Sequence, residues 1–409
     1  MAQRAEEVND SLDRFRAMMA WQNRILALFG LYQYVGAHRM SWRIALLSFC
    51  PMSFIPWSLY CAVKSWGNMS EVVFSIVIIF FAFVAVARLA VGIGNPDGCY
   101  RAIHLAEQTY LCADRSRPAE KRVLAKYTRL LSHSVTVYTC SFFGGYMVIA
   151  LSPFVFYLVL GQQFLPLGVT IPFVDPGTTS GYWATLAVQL AYMTPGPIGL
   201  TPSQNIYFAF IFNICMQYEL LIVRLDDLNV TIRSASQSES ERDRSEVRRK
   251  LVEIIQLQQR CANYIAHIED CYCVQMFVEF LSNSLLMALT LAELSRSFWI
   301  PGYFILPVAF LQMLILCLLG TLIEVRSDQF IAKLYDIAWS EMSCKEQAMF
   351  KFVLTRAQQP PQLTCGGFAV INMNLFLSAL LTSDKDPKWL PSPTQTDAYN
   401  RSSHSVALS

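Results

Sequence analysis

Few side chains in this sequence could do chemistry, and most of those that could lie inside apolar runs, where polar groups are costly. Glu279 is the notable one, a carboxyl eight residues into an apolar segment with Asn283 one helical turn later. The pair reads either as a polar step on an ion route or as a buried carboxyl hydrogen-bonded to that amide. Cys271 and Cys273 form a Cys-x-Cys without nearby histidine partners, so membrane packing is expected there and not a metal site. The five histidines are scattered, and no P-loop, HExxH or GxSxG occurs. No catalytic residue, metal ligand or cofactor is therefore expected, and the chain does not read as an enzyme. Asn372 and Asn374 place amides on the last apolar segment, which otherwise offers Val, Ile, Leu and Phe. The pair Gly366 and Gly367 reads as a place of close helix approach. Gly144 and Gly145 read as the same, or as room for a ligand.

The elements that must carry these residues follow from composition. With 54% hydrophobic and only 15% charged residues, the 409-residue chain has too little charge to cover a soluble globule. Six of its twelve cysteines (Cys50, Cys61, Cys140, Cys215, Cys317 and Cys365) lie in apolar runs, which argues against an oxidised framework. Seven segments are near the length a helix needs to cross a bilayer: 44–63, 72–90, 135–160, 205–223, 271–291, 303–323 and 363–383. Lys and Arg number six in 1–43, eight in 88–129, eight in 224–260 and five in 326–356, against one, none and one in the intervening connections. This asymmetry predicts a cytosolic N terminus and an external C terminus. The fold expected is thus all-α, a seven-transmembrane helical membrane protein with a cytosolic helical anchor domain. Its parts are an N-terminal segment at 1–43, a bundle of six spans at 44–323, an anchor helix at 324–362, a last span at 363–383 and a polar tail at 384–409.

Connection 161–204 carries no Lys or Arg, and its prolines forbid one continuous helix, yet it is too apolar for a solvated loop. It is expected to fold back as a lid or to lie in the interface, with 182–193 extending the fourth span outward. Segment 233–250 mixes serines with both charge signs and reads as a solvated loop. Arg88, Glu219 and Arg224 stand where spans meet the basic segments, and snorkelling accounts for them. Halves of several spans are rich in large apolar and aromatic residues: Phe74, Ile78, Phe81, Phe142, Tyr146, Ile149, Tyr207, Phe208, Tyr303, Leu306 and Phe310. A cavity among them would accept a small neutral molecule, with tyrosine hydroxyls to orient it. Packing against lipid or core is the alternative for each.

The C-terminal third resembles an insect odorant receptor: Tyr335 and Trp339 four residues apart, the basic run 351–356, Gln359-Pro360, Gly366-Gly367-Phe368 and Asn374-Leu375-Phe376. The stretch 165–189 is similar to that family's second external loop. The resemblance implies a subunit of a ligand-gated cation channel in the plasma membrane of olfactory sensory neurons. A co-receptor would complete a hetero-tetramer around one pore, and a small neutral volatile odorant would bind between the helices. It further implies a subunit interface at Trp339, Phe350 and Phe352 and pore-side positions at Phe368, Asn372 and Leu375. Beyond Ser383 the charged, proline-containing tail departs from the family pattern, so a non-conducting isoform is the alternative. A G-protein-coupled receptor would need the opposite orientation, and a secondary transporter an internal repeat.

Overall fold

A computed structural model describes residues 2–31, 42–113, 117–161, 163–167, 169–171, 174–175, 177–238 and 241–383. The polar tail of 384–409 lies outside the described residues. Helix α1 (Ala2–Leu28) is amphipathic, with Leu12, Phe15, Met19 and Leu26 buried at spacings of three, four and seven. Phe15 stacks on Tyr110 at 5.0 Å. Helix α2 (Trp42–Lys64) carries Pro51 and Pro56 in its interior, which neighbouring helices in a bundle tolerate. Helices α3 (Met69–Gly94) and α4 (Pro96–Cys112) meet at Asn95, whose Oδ1 accepts from Gly98 N at 3.0 Å with a proline at the first helical position.

Helix α5 (Pro118–Leu160) is followed by an irregular connection, then α6 (Thr179–Met193), a π-helical turn (Gly196–Leu200) and α7 (Thr201–Ser238). The prolines before α7 are thus accommodated by a widened turn and not by a break. The fourth apolar helix runs from Thr179 to Ser236, so 182–193 does extend this span. The connection itself folds onto the bundle. Gln189 Nε2 donates to Val169 O at 2.7 Å, Leu167 N donates to Gln189 Oε1 at 3.3 Å, and Trp57 Nε1 donates to Thr170 O at 2.9 Å.

Helices α8 (Glu241–Leu294) and α9 (Ile300–Tyr335) are long enough to extend well beyond a bilayer core, and segment 241–250, expected to be a solvated loop, is the first part of α8. After a single 3₁₀ turn (Trp339–Glu341), α10 (Cys344–Ala357) opens with Ser343 N donating to Glu346 Oε2 at 2.9 Å. The four basic segments are gathered at one end of the bundle by ion pairs. Arg16 pairs with Glu107, Lys126 with Glu219 at 2.6 Å, Arg224 with Glu120 at 3.0 Å and Lys333 with Asp226 at 2.7 Å. By accepting from Lys333, the Asp226 carboxylate holds that ammonium above the usual lysine range. Glu219 and Arg224 are therefore paired, not snorkelling.

The last segment differs from expectation. Residues 363–372 are not helical: strands β1 (Thr364–Cys365) and β2 (Ala369–Val370) pair antiparallel, Thr364 with Val370 and Cys365 with Ala369. The cause is local. Gly366 and Gly367 have φ of 65° and 77°, a left-handed pair that ends any helix and makes a tight hairpin turn. Helix α11 (Met373–Ser383) starts only after this hairpin. Glu269 on α8 grips the hairpin, accepting from Thr364 N at 2.9 Å and from the Thr364 hydroxyl. Met373 N donates to Thr321 Oγ1 on α9 at 2.9 Å, so the start of α11 is tied to α9. Among the described residues six helices are long and apolar enough to cross a membrane, and α11 packs against α8 and α9.

A candidate ligand cavity between the apolar helices

A cavity of about 780 Å³ lies between α2, α3, α5, the α6–α7 junction and α9. That size suits a small organic molecule. Its lining on α3 runs from Phe74 to Leu89, fifteen residue steps, or about 22 Å at 1.5 Å per residue. The site is therefore elongated along the helices. Phe74, Ile78, Phe81, Phe142, Tyr146, Ile149 and Phe208 all line it, brought together from α3, α5 and α7.

Tyr207, Tyr303, Leu306 and Phe310 stand outside it. Tyr207 is buried against Tyr272 with ring centroids 5.4 Å apart. Tyr303 is exposed beside Phe298, and Phe310 packs edge-on against Phe376 of α11 at 5.4 Å. On α9 the lining residues are instead Phe304, Ile305, Val308, Leu311, Gln312, Ile315 and Leu319. This helix is apolar all round where it meets the cavity, so sequence periodicity could not set its rotation.

Gly145 lines the cavity, and a Cβ at Gly144 or Gly145 would meet nothing within 4 Å. Gly145 thus leaves room in the cavity, and neither glycine brings helices together. Tyr192 roofs the site near the connection, packed on Phe54 and Trp57 at 5.3 and 5.5 Å and sharing a hydrogen bond of 3.2 Å with Ser53. Tyr146 shares one of 2.9 Å with Thr194. Both tyrosine hydroxyls are thus engaged with the protein.

The opposite end is charged. Arg88 Nε donates to Glu279 Oε1 at 2.7 Å and Nη2 to Oε2 at 3.1 Å, and both side chains are buried. Gln275 Nε2 donates to the same carboxylate at 2.8 Å, and Arg88 Nη1 reaches Leu200 O at 3.4 Å. Such a fork gives the stabilising bidentate geometry a buried pair requires. Arg88 therefore does not snorkel, and the partner of Glu279 is Arg88. Asn283 donates to the Glu279 backbone carbonyl at 2.9 Å, not to its carboxylate. Sequence reasoning saw both charges but could not join residues 191 positions apart. Their opposite signs within two apolar runs were the available signal.

Cys271 and Cys273 diverge. Cys271 Sγ accepts from Asn95 Nδ2 at 3.4 Å and stands 3.9 Å from His267, a histidine one turn away on the same helix and against the expectation of none nearby, while Cys273 faces Thr364. No cluster able to hold a metal occurs among the described residues.

The residues expected at a pore and an interface are dispersed. Phe368 is 83% exposed at the hairpin turn, against Phe277 at 5.7 Å. Asn372 precedes α11, its Oδ1 accepting from Leu375 N at 3.0 Å, and Leu375 packs against the core. Trp339 and Phe352 are exposed at 52% and 61%, whereas Phe350 is buried within the chain itself and holds α10 to the bundle.

A family model for the 7tm odorant receptor matches residues 68–383. The chain is similar to a putative odorant receptor 83c of Drosophila melanogaster, 22% identical over 240 residues, spanning 57% of this chain and 60% of that relative's length. The fold is similar to the solved insect olfactory receptor OR5 of Machilis hrabei, with a TM-score of 0.71 and 14% identity, over 91% of this chain and 97% of that one. The same receptor in complex with eugenol aligns with a TM-score of 0.69 and 15% identity over the same shares of both chains. At such identity the likeness carries the fold alone.

Proposed function

The chain belongs to the 7tm odorant receptor family, and on that premise we propose that it is the tuning subunit of an odorant-gated cation channel. It is a multi-pass membrane protein, and its place is the plasma membrane of olfactory sensory neurons, with the N terminus in the cytosol. The charge asymmetry of its connections supports that orientation. A small neutral volatile binds in the cavity lined by Phe74, Ile78, Phe81, Phe142, Tyr146, Ile149 and Phe208. Its occupancy biases a two-state equilibrium, which needs only a difference in affinity between closed and open states. The pore is shared with the family's co-receptor. Helix α11 lines it, with Asn372 and Leu375 near its start, and the exposed Trp339 and Phe352 meet neighbouring subunits.

The observation that carries this reading is the cavity itself, large, mostly apolar and lined from several helices of the bundle. The test is current in cells expressing the chain with the co-receptor, across a panel of neutral volatiles that includes eugenol. A ligand-evoked cation current absent with co-receptor alone is expected. A subunit that reaches the surface, shown by labelling, and stays silent to the whole panel contradicts the proposal.

A further inference from the structure

The cavity is apolar along most of its length but ends on two donors that the protein leaves incompletely used. Arg88 commits Nε and one Nη2 hydrogen to Glu279 and one Nη1 hydrogen to Leu200 O, which leaves at most two of its five N–H groups for Tyr138 and a ligand. Tyr138 also lines this end, packed on Phe142 and Phe208 at 5.8 and 5.2 Å. Its buried hydroxyl lies against Arg88, which can only donate to it, so its own O–H has no acceptor among the described residues. Buried donors without acceptors are costly, and a ligand oxygen would relieve that cost.

We infer that the cavity selects an elongated neutral molecule with an apolar chain and a hydrogen-bond-accepting oxygen at one end, that oxygen seated on Arg88 and Tyr138. The inference rests on the receptor reading above and names the ligand class for the same site. The charge state follows from Glu279. Because the guanidinium is already neutralised by a buried carboxylate, a second carboxylate from the ligand would leave an uncompensated negative charge in the bundle. An aldehyde, ketone or ester satisfies the free donors without that penalty, and an alkane leaves them unmet. Arg88 and Tyr138 are thus specificity-determining residues, and the aromatic wall supplies affinity without discrimination.

The experiment uses the full chain with its co-receptor in lipid nanodiscs and reads ligand-induced shifts in unfolding temperature. Straight-chain aldehydes from octanal to hexadecanal are compared with the alkane and the carboxylate of equal length. At the best-fitting length the aldehyde should bind roughly 10- to 100-fold more tightly than its alkane, as hydrogen bonds to a charged donor are worth. Tyr138→Phe, which leaves the ion pair intact, should cut that ratio roughly fivefold. The paired change Arg88→Met with Glu279→Met should abolish it. Equal binding of aldehyde and alkane overturns the inference and leaves the receptor reading standing, and a carboxylate that binds more tightly than the aldehyde overturns the neutrality. Stabilisation by none of these compounds, with eugenol still binding, overturns the inference alone, and no binding of any volatile overturns both.

Discussion

At the scale of the residue, the Arg88–Glu279 pair is where removal of one atom group matters most. Glu279→Gln or Arg88→Met alone leaves one buried charge unpaired, so each should cost about 3–5 kcal/mol. Thermal unfolding of the detergent-solubilised chain would read this, and the two changes combined should restore much of the loss. Gly320 is a second sensitive point. A Cβ there would lie 1.9 Å from the Ile371 carbonyl oxygen, so Gly320→Ala must push the hairpin away from α9, at a cost of about 1–3 kcal/mol. Gly145→Ala, whose Cβ meets nothing, should leave the unfolding temperature unchanged or slightly raised. The ion pair shows where sequence reading stops. Both charges stand out within their apolar runs, but nothing local says that a residue on α3 faces one on α8.

At the scale of the element, the hairpin before α11 is the main departure from expectation. An uncharged run from Leu363 to Ser383 satisfies every length criterion for a spanning helix, and hydropathy alone cannot divide it. The Gly-Gly step could have done so, because consecutive residues free to take the left-handed conformation favour a tight hairpin loop over a helix, here the three residues 366–368. Gly367→Ala places a side chain at φ 77° and should destabilise the hairpin by about 1–2 kcal/mol even though the space is open. Glu269→Ala should release Thr364 and expose the backbone amides of 364–371 to faster hydrogen exchange, while those of α5 keep their protection. Unchanged exchange at the hairpin would show that Glu269 does not hold it. The rotation of α9 is the converse case, a helix whose existence was plain and whose facing was not.

At the scale of the whole molecule, hydropathy and charge were legible because both are averages over many residues. Four basic segments far apart in the chain meet at one end through ion pairs between them, as their composition implied. The cavity was legible in part. Positions on α3 and α5 fell on one face, whereas its polar floor depends on long-range pairing and its α9 wall on rotation. Ligand binding in this cavity is tested most directly by the odorant dose–response of wild type against Gly145→Phe, co-expressed with the co-receptor and matched for surface labelling. A ring built on Gly145 projects into the cavity without meeting neighbouring atoms at its Cβ. If the ligand binds there, half-maximal activation should move at least about tenfold higher, the equivalent of about 1.4 kcal/mol of lost affinity. A dose–response superimposable on wild type would place the ligand elsewhere and contradict binding in this cavity.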